Sequence, residues 1–506
     1  NFRKRLYKGL DTCMENRVNI FRNCIEGIKT KSIKVAFFIP LAITALTAGL
    51  YFLKPGYLNV ERLQLSFAAV AAVAAAYLTY MLLMRKLDTH TAAVTVMAVG
   101  IALRFCYTLY TGAGTRTYDV YRHEWGHLDY IKYIAEHHWL PPVNSCQAYH
   151  PPVHHIISAV VLNTGKLFTL DEFFALKLVQ LVMAVLNSLT LIFFYKTLRE
   201  LKVSGTTAIT AVSVFAFHPT NIYFASRINN DNTMLFFYAV AFYYLIKWLN
   251  KNTFKNIVML ALFLSLAILT KKSAVMLAFP AAAAFLATLA RNRGRFKAYL
   301  KQFMAFGLVS IPLSVSHQLR NFILFGQSFG YVPSFGVGFI PSTYNLLYLP
   351  VDRLLKDPFN NGGIEGGEFF LEFLLKSSLF GEWRYPGLED LATILILLSV
   401  ANVVILLTYI FMLKKEDIGG YEFIFLINLA VPFILAAKFR TDFPVACSQD
   451  FRYIAPVLIS AGYFLGKAVE KVMASSLVVI KCAVTLSIAA FCILSTVFVL
   501  SLGHFN

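Results

Sequence analysis

Residues 91–155 read TAAVTVMAVGIALRFCYTLYTGAGTRTYDVYRHEWGHLDYIKYIAEHHWLPPVNSCQAYHPPVHH. From Thr91 to Tyr110 the stretch is apolar except for Arg104, over the roughly 20 residues that a helix needs to cross a ~30 Å hydrocarbon layer. At Tyr110 it breaks into a segment crowded with histidine, carboxylates, arginine and aromatic rings. This is the pattern of a membrane helix that opens onto a chemically active loop.

Apolar runs of the same length recur on both sides. About thirteen are separable: Val35 to Leu53, Leu63 to Met84, Thr91 to Tyr110, Phe174 to Tyr195, Thr206 to Phe224, a sixth returning through Trp248, Asn256 to Thr270, Ser273 to Ala290, a ninth reaching His317, a tenth ending at Lys414 and Lys415, an eleventh at Arg440, a twelfth at Lys467, and Leu477 to Leu500. The 506 residues are 58% hydrophobic and only 14% charged, with a mean hydropathy of +0.62, too little charge to cover the surface of a soluble body of this length. Because lipid cannot satisfy backbone groups, the runs must be helices or strands of a closed barrel. They are too long and continuous for barrel strands. The fold class is therefore all-α and polytopic.

The formal net charge of +19 does not point to nucleic acid, because the basic residues sit in short loops between apolar runs. Such loops are retained on the cytoplasmic side. With the N-terminus inside, nearly every short basic cluster falls there, and the long loops 111–173 and 318–390 fall outside together with 225–232 and 439–452. Residues 1–34, basic and without an evident cleavable signal, read as a cytoplasmic amphipathic segment lying on the membrane. Residues 35–506 form the membrane domain. No internal repeat is visible, which argues against transporter folds built from repeats.

The outer loops hold the chemistry. Seven of the eleven histidines lie between His123 and His155. The first loop adds Asp119, Glu124 and Asp129 beside Arg116 and Arg122. SRINNDNT supplies Arg227, Asn229, Asn230 and Asp231, and LTKKS supplies Lys271. RNFILFG supplies Arg320, GEWRY supplies Glu382, and CSQDFRY supplies Asp450 and Arg452. Carboxylates and guanidinium groups thus converge on one face, as a reaction would need that deprotonates an acceptor and stabilises a phosphate leaving group. His123 and His127, four residues apart, admit a divalent metal, although histidines in aromatic interface loops more often serve as hydrogen-bonding groups. No other cofactor is indicated. Cys146 and Cys447 are the two cysteines in outer loops, and so the one expected disulfide.

The order of these motifs resembles the GT-C superfamily of integral-membrane glycosyltransferases, and within it the protein O-mannosyltransferase-like family 39 and its bacterial relatives. The likeness rests on Asp119 early in the first outer loop, then GHLDYI, YHPPVHH, NND, LTKKS, RNFILFG and DFRYIAP, over roughly residues 91–465. It implies a polyprenyl-phosphate sugar donor entering from the bilayer, an acceptor hydroxyl (on a glycan, lipid or protein) from the aqueous side, and a loop carboxylate acting as base in an inverting transfer. It also implies a bacterial plasma membrane with the site facing outward. Asp119 is the expected base, with Asp231 and Glu124 as further catalytic candidates. Arg116, Arg122, His127, Asp129, His150, Asn230, Lys271, Arg320, Glu382, Asp450 and Arg452 are expected to bind substrate. The chain departs from the pattern in having two extra helices before the acidic loop and no second acid after Asp119, which leaves the acceptor class open. The rival reading is a transporter or flippase of lipid-linked saccharides. It would place its ionisable residues at mid-membrane, whereas here they lie mostly in outer loops.

Overall fold

A computed structural model describes residues 34–54, 56–117, 119–121, 126–168, 171–333, 338–360 and 368–505. The N-terminal basic segment expected to lie on the membrane falls outside these residues, as do Arg122, His123 and Glu124. The described residues contain helices and turns and no strand.

The first three helices are α1 (Lys34–Leu53), α2 (Val60–Leu83) and α3 (Thr89–Tyr110). Asn59 and Asp88 start the second and third, their side chains accepting from amides of the first turn, as good N-caps do. The loop expected after α3 is itself partly helical, with α4 (His127–His137) and α5 (Val153–Phe168). Their half-polar sequences lack the long apolar run by which the other helices were recognised. Next come α6 (Glu172–Glu200), α7 (Gly205–Phe217), α8 (Pro219–Ser226), α9 (Asn230–Asn250) and α10 (Phe254–Ile268). A 3-10 turn over Lys272–Leu277 leads into α11 (Ala278–Arg291), and α12 (Phe296–Phe325) runs eight residues past the expected end at His317. The second long loop contains α13 (Thr343–Leu347), α14 (Val351–Lys356) and α15 (Phe370–Phe380). The chain closes with α16 (Glu389–Phe411), α17 (Tyr421–Asp442), α18 (Val457–Met473) and α19 (Val478–Ser501).

Helical residues cover each of the thirteen apolar stretches, the fifth with two helices, α7 and α8, and the eighth with a 3-10 turn leading into α11. Among the described residues nine helices are long and apolar enough to cross a membrane by length and composition, and two shorter ones, α7 and α10, are also apolar. They are not equivalent. In α3, 83% of the apolar window is buried by protein, against 17% in α1 and in α12. The interior is therefore α3 with α6, α7, α9 and α18, and the sparsely covered helices flank it. Glycine allows the interior helices to touch: a Cβ on Gly466 of α18 would lie 2.6 Å from the Thr207 carbonyl oxygen, and one on Gly100 of α3 would lie 2.8 Å from the Ala216 Cβ. Small residues of this kind are how membrane helices gain packing energy where the lipid is as apolar as the side chains.

The fifth stretch, expected to be continuous, is broken between α7 and α8 at His218–Pro219. Proline has no N–H to continue the ladder, so carbonyls at the end of α7 need other donors. Arg104, fully buried in α3, supplies them. Its guanidinium donates to the carbonyl of Ala216 at 2.7 Å and to that of Gly100 at 2.8 Å, while Nε donates to Asn187 Oδ1 at 2.6 Å. Asn221 adds a bond to the Phe215 carbonyl at 2.9 Å. From Asn187 the network continues to Asn232 Oδ1 at 2.9 Å, one residue beyond Asp231. The single charge noted inside the third apolar run is thus the clamp of a broken helix.

Arg104→Leu should destabilise the fold by about 2–4 kcal/mol, because it leaves several buried acceptors unpaired, whereas Arg104→Lys should recover part of the loss. Thermal unfolding in detergent reads this directly. An unchanged melting temperature for Arg104→Leu would show that the broken segment does not depend on the clamp.

Candidate active site at one end of the helix bundle

The site forms where the end of α10, the start of α9, the first loop and two later turns meet, and Arg452 is its centre. Arg452 lies in the 3-10 turn Phe451–Ile454, which Asp450 starts by accepting from the Arg452 amide at 2.8 Å. The turn is pinned from behind by the Phe451 amide, which donates to Ser377 Oγ at 3.0 Å. The Arg452 side chain is 11% exposed and donates from Nη1 to Asp119 Oδ2 at 2.8 Å. Its Nε stands 3.7 Å from Asp450 Oδ2 and makes no hydrogen bond. Asp119 reaches Arg452 because its own carbonyl accepts from the His127 amide at 2.7 Å, docking the first loop onto the start of α4. Burial opposes the charge of Asp119, but Arg452, with His127 and Lys271 nearby, holds its carboxyl well below the usual carboxylate range.

A second pair stands beside the first. Lys271, just past α10, is hydrogen-bonded to Asp231 Oδ1 in the first turn of α9, with side chains 9% and 2% exposed. Asn229 caps that helix, its oxygen accepting from the Asp231 amide at 3.2 Å, and the helix N-terminus favours the neighbouring carboxylate. The Lys271 ammonium lies 4.4 Å from the centre of the Tyr453 ring, and the Arg452 guanidinium lies 5.3 Å from the same ring. The two cations thus share the Tyr453 ring. Asn230 Nδ2 is buried there without a hydrogen-bond partner.

Glu382 completes the group. Its Oε1 is buried and has no hydrogen-bond partner. Burial, and then the Asp450 carboxylate, push its acid up to about 7, against the pull of Arg452. Burial also raises Asp450, opposed by Arg452 and Arg227. Arg227, buried at the end of α8, approaches because Gly381, at φ +66°, carries no side chain. A Cβ there would be 3.3 Å from Arg227 Nη2. Among the described residues, four carboxylates and three cations thus occupy one end of the bundle.

Four of the described histidines, His127, His150, His154 and His155, pack together. His127 Nδ1 meets His155 Nε2 at 2.9 Å, and His154 Nδ1 meets Thr233 Oγ1 at 2.9 Å. The rings of His127 and His150 stack at 5.6 Å, and Tyr130 covers His155 at 4.0 Å. Burial pushes His127 down to about 4 and His150, His154 and His155 well below the usual histidine range. Burial thus favours the neutral form of all four rings, and His127, His154 and His155 make ring-nitrogen hydrogen bonds. Among the described residues no group of three or more His, Cys, Asp or Glu is arranged to hold a metal. The metal pairing suggested for His123 and His127 involves a residue outside the described set.

Asp119, Asp231, Asn230, Lys271, Glu382, Asp450 and Arg452, named from sequence, are brought together, with His127 bordering them. Others are drawn elsewhere. Arg320 donates to the carbonyls of Leu140 and Pro141 at 3.1 and 3.2 Å and to Asn321 at 2.9 Å, tying α12 to the end of the first loop. Arg116 donates to Tyr107 Oη and to the Leu502 carbonyl, both at 3.3 Å. Asp129 caps α4, accepting from the Gly126 amide at 2.9 Å. The expected disulfide is absent. Cys146 and Cys447 are both thiols, the first packed with Tyr130 and Ala148 and the second in the turn Ala446–Gln449. Arg227, noted from sequence beside Asn229, Asn230 and Asp231, joins the site, and Tyr453, next to Arg452, is the residue that carried no sequence signal of its own.

The arrangement stands beside these likenesses. A family model for dolichyl-phosphate-mannose-protein mannosyltransferases matches residues 149–315. No curated protein matches the chain in sequence. The fold is similar to that of ArnT from Cupriavidus metallidurans crystallised with undecaprenyl phosphate, with a TM-score of 0.51 at 13% identity, over 81% of this chain and 76% of that one. The apo crystal structure of the same protein aligns over 74% of this chain and 76% of that one, with a TM-score of 0.37 at 14% identity. The chain therefore has the all-helical fold of the ArnT structure.

Proposed function

We propose that the protein is a glycosyltransferase that takes a sugar from a polyprenyl-phosphate-type carrier and places it on an acceptor hydroxyl. The observation that carries this reading is the ion pair between Arg452 and Asp119, set beside the pair of Lys271 and Asp231. Two cations that can bind a phosphate are each paired with a carboxylate that can act on a hydroxyl. The family-model match and the shared fold support the same reading.

In the proposed reaction the acceptor oxygen forms a bond to the sugar's anomeric carbon as the bond from that carbon to the carrier phosphate breaks. The acceptor proton passes to Asp119, and the polyprenyl phosphate leaves with its electron pair, its charge met by Arg452 and Lys271. A single displacement with base and leaving group on opposite faces inverts the anomeric centre. Arg452 links the two halves of the reaction. As its guanidinium turns to the donor phosphate, Asp119 loses its counter-ion and becomes a stronger base in the presence of donor. The loops that carry the site face away from the cytoplasm.

Asp119→Asn should keep the fold and donor binding yet lower turnover by about 10²–10⁴-fold, the usual scale of general-base assistance, measured as sugar transfer from a polyprenyl-phosphate sugar. Near-normal turnover in this variant would remove Asp119 from the base role.

The phosphate subsite is assigned by comparing two arginines. Arg452→Lys loses the bidentate fork and should raise the donor KM about tenfold or more, whereas Arg320→Lys should change stability and leave the donor KM as it was. The reverse pattern would move the phosphate to α12.

A pH dependence follows from Glu382. Below about 7 it is protonated and uncharged. Above that it adds an anion beside Arg452 that competes with the donor phosphate. The donor KM should therefore rise as pH passes upward through about 7, and Glu382→Gln should flatten the profile. A kcat that instead rises through that range, and loses the rise in Glu382→Gln, would make Glu382 the base.

Sidedness is checked with a membrane-impermeant maleimide on single-cysteine variants at Trp139, exposed in the first loop, and at Gly294, where added side chains meet open space. Labelling of the first and not the second in right-side-out vesicles is expected. Equal labelling of both would overturn the arrangement.

A further inference from the structure

Between Asp231 and Asp352 the chain carries eleven lysines and arginines and no carboxylate. Five of these cations, Arg291, Arg293, Arg295, Lys297 and Lys301, crowd the turn from α11 into α12. The turn lies at the end of the bundle opposite the site around Arg452. Helix α9 runs from Asn230, at the site, to Asn250, and Trp248 near its far end donates to Gln302 of α12 at 2.8 Å.

Nothing in the fold covers or neutralises this turn. A Cβ on Gly294, at its apex, would meet nothing within 4 Å, and Arg293, Arg295, Lys297 and Lys301 are exposed. Among the described residues none of these four is ion-paired. Other basic clusters at the same end bring their own acids. Lys414 pairs with Glu416 at 3.7 Å and Lys467 with Glu470 at 2.7 Å, and Glu200 follows Arg199. The start of α12 adds to the positive field, because its first turn has no acidic residue and no side-chain cap, and free amides at a helix N-terminus favour an anion.

The cations are continuous with an apolar face. Leu300, Lys301, Met304, Leu308 and Ile311 follow Lys297 by three, four, seven, eleven and fourteen residues, the spacing that keeps side chains on one side of a helix. All six are exposed, and only 17% of the apolar window of α12 is buried by protein. From Lys301 to Ile311 the face is about 15 Å long at the helical rise, roughly half of a ~30 Å hydrocarbon layer and so the depth of one leaflet.

We infer that the turn between α11 and α12 binds an anionic phospholipid. Its phosphate is held among Arg293, Arg295, Lys297 and Lys301, and its acyl chains lie along Leu300, Met304, Leu308 and Ile311. A soluble anion would meet the cations and leave the apolar face uncovered. A zwitterionic lipid would cover the face but bring a further cation to a cluster that lacks an anion. A lipid with net negative charge answers both. Bound there, it fixes one end of a helix that has little protein around it and whose other end is tied to the first loop by Arg320. The binding is independent of the proposed transfer reaction, since it involves no turnover and lies at the other end of the bundle.

The test is native mass spectrometry of the full chain in detergent, titrated with dioleoylphosphatidylglycerol or dioleoylphosphatidylcholine. The first phosphatidylglycerol should bind about tenfold or more tightly than phosphatidylcholine, since each cation close to an anionic headgroup is worth about fivefold. The variant Arg293→Gln/Arg295→Gln/Lys297→Gln/Lys301→Gln should lose that preference. Lys297→Gln/Lys301→Gln should lose about fivefold or more of it, and decides the matter if the fourfold variant does not fold. Lys414→Gln/Lys415→Gln, at a cluster with its own acids, should keep it. Glycerophosphoglycerol, the same headgroup without chains, should bind about tenfold or more weakly than the intact lipid, because it buries no hydrocarbon. Equal binding of the free headgroup would mark a site for soluble anions and overturn the proposal. A phosphatidylglycerol preference that is absent from the native chain, or that survives intact in a folded Lys297→Gln/Lys301→Gln, would overturn it as well.

Discussion

A cation inside a membrane protein must be compensated, because its desolvation costs several kcal/mol that only close partners return. The buried cations of this chain divide by the kind of partner they take. Arg104 and Lys177 give their protons chiefly to backbone carbonyls, and Arg440 gives its own to other uncharged oxygens, the Glu368 carbonyl at 2.8 Å and the side-chain amide oxygens of Gln449, at 2.9 Å, and Asn345. Such cations serve as clamps. They satisfy helix ends and breaks that lipid would leave bare, and nothing is gained by exchanging their partners. Arg452 and Lys271 take carboxylates instead, and a carboxylate can be displaced by another anion. Exchangeable compensation gathers at one end of the bundle, and that end is the site.

One further carboxylate-paired group lies apart from it. Glu372 accepts from Lys376 at 2.6 Å and from Arg353 at 3.1 Å, joining α14 to α15. Since α15 also supplies Ser377, which accepts from the Phe451 amide in the turn bearing Arg452, this network and that turn are held by the same helix. The chain is thus built in two tiers, with clamps that fix the helices and a smaller set of charges held ready for exchange.

The helices could be read from sequence because a lipid-facing or core-facing run must be apolar over its whole length, and that signal is local. The convergence of Asp119 and Arg452, 333 residues apart, was legible in part, since loops assigned to one side must share one surface. What escaped was the identity of partners. Arg320 looks like a phosphate ligand until the carbonyls of Leu140 and Pro141, some 180 residues earlier, occupy its fork. Asp129 looks like a substrate group, but Gly126 three residues before it needs a cap. Cys146 and Cys447 share a side by loop assignment, and a shared side says nothing of the close approach a disulfide requires. The orphaned oxygen of Glu382 has no sequence signal at all, because an unsatisfied group is defined by what surrounding chain segments fail to supply.

The charge balance of the site connects these levels. Four acids, Asp119, Asp231, Asp450 and Glu382, face three cations, Arg227, Lys271 and Arg452. With Glu382 protonated, as burial and Asp450 dispose it to be at and below about 7, the group is neutral. That balance is what permits so many ionisable groups to be buried together. A phosphate entering it adds negative charge and can bind only if something gives way. Arg452 can leave Asp119 for the phosphate, or a carboxylate can take up a proton. Both changes act on the same acids, and both convert a carboxylate held quiet by its counter-ion into one able to accept a proton from a hydroxyl. In the proposed transfer, the neutrality that stabilises the site is therefore also the reason that donor binding would switch its chemistry on.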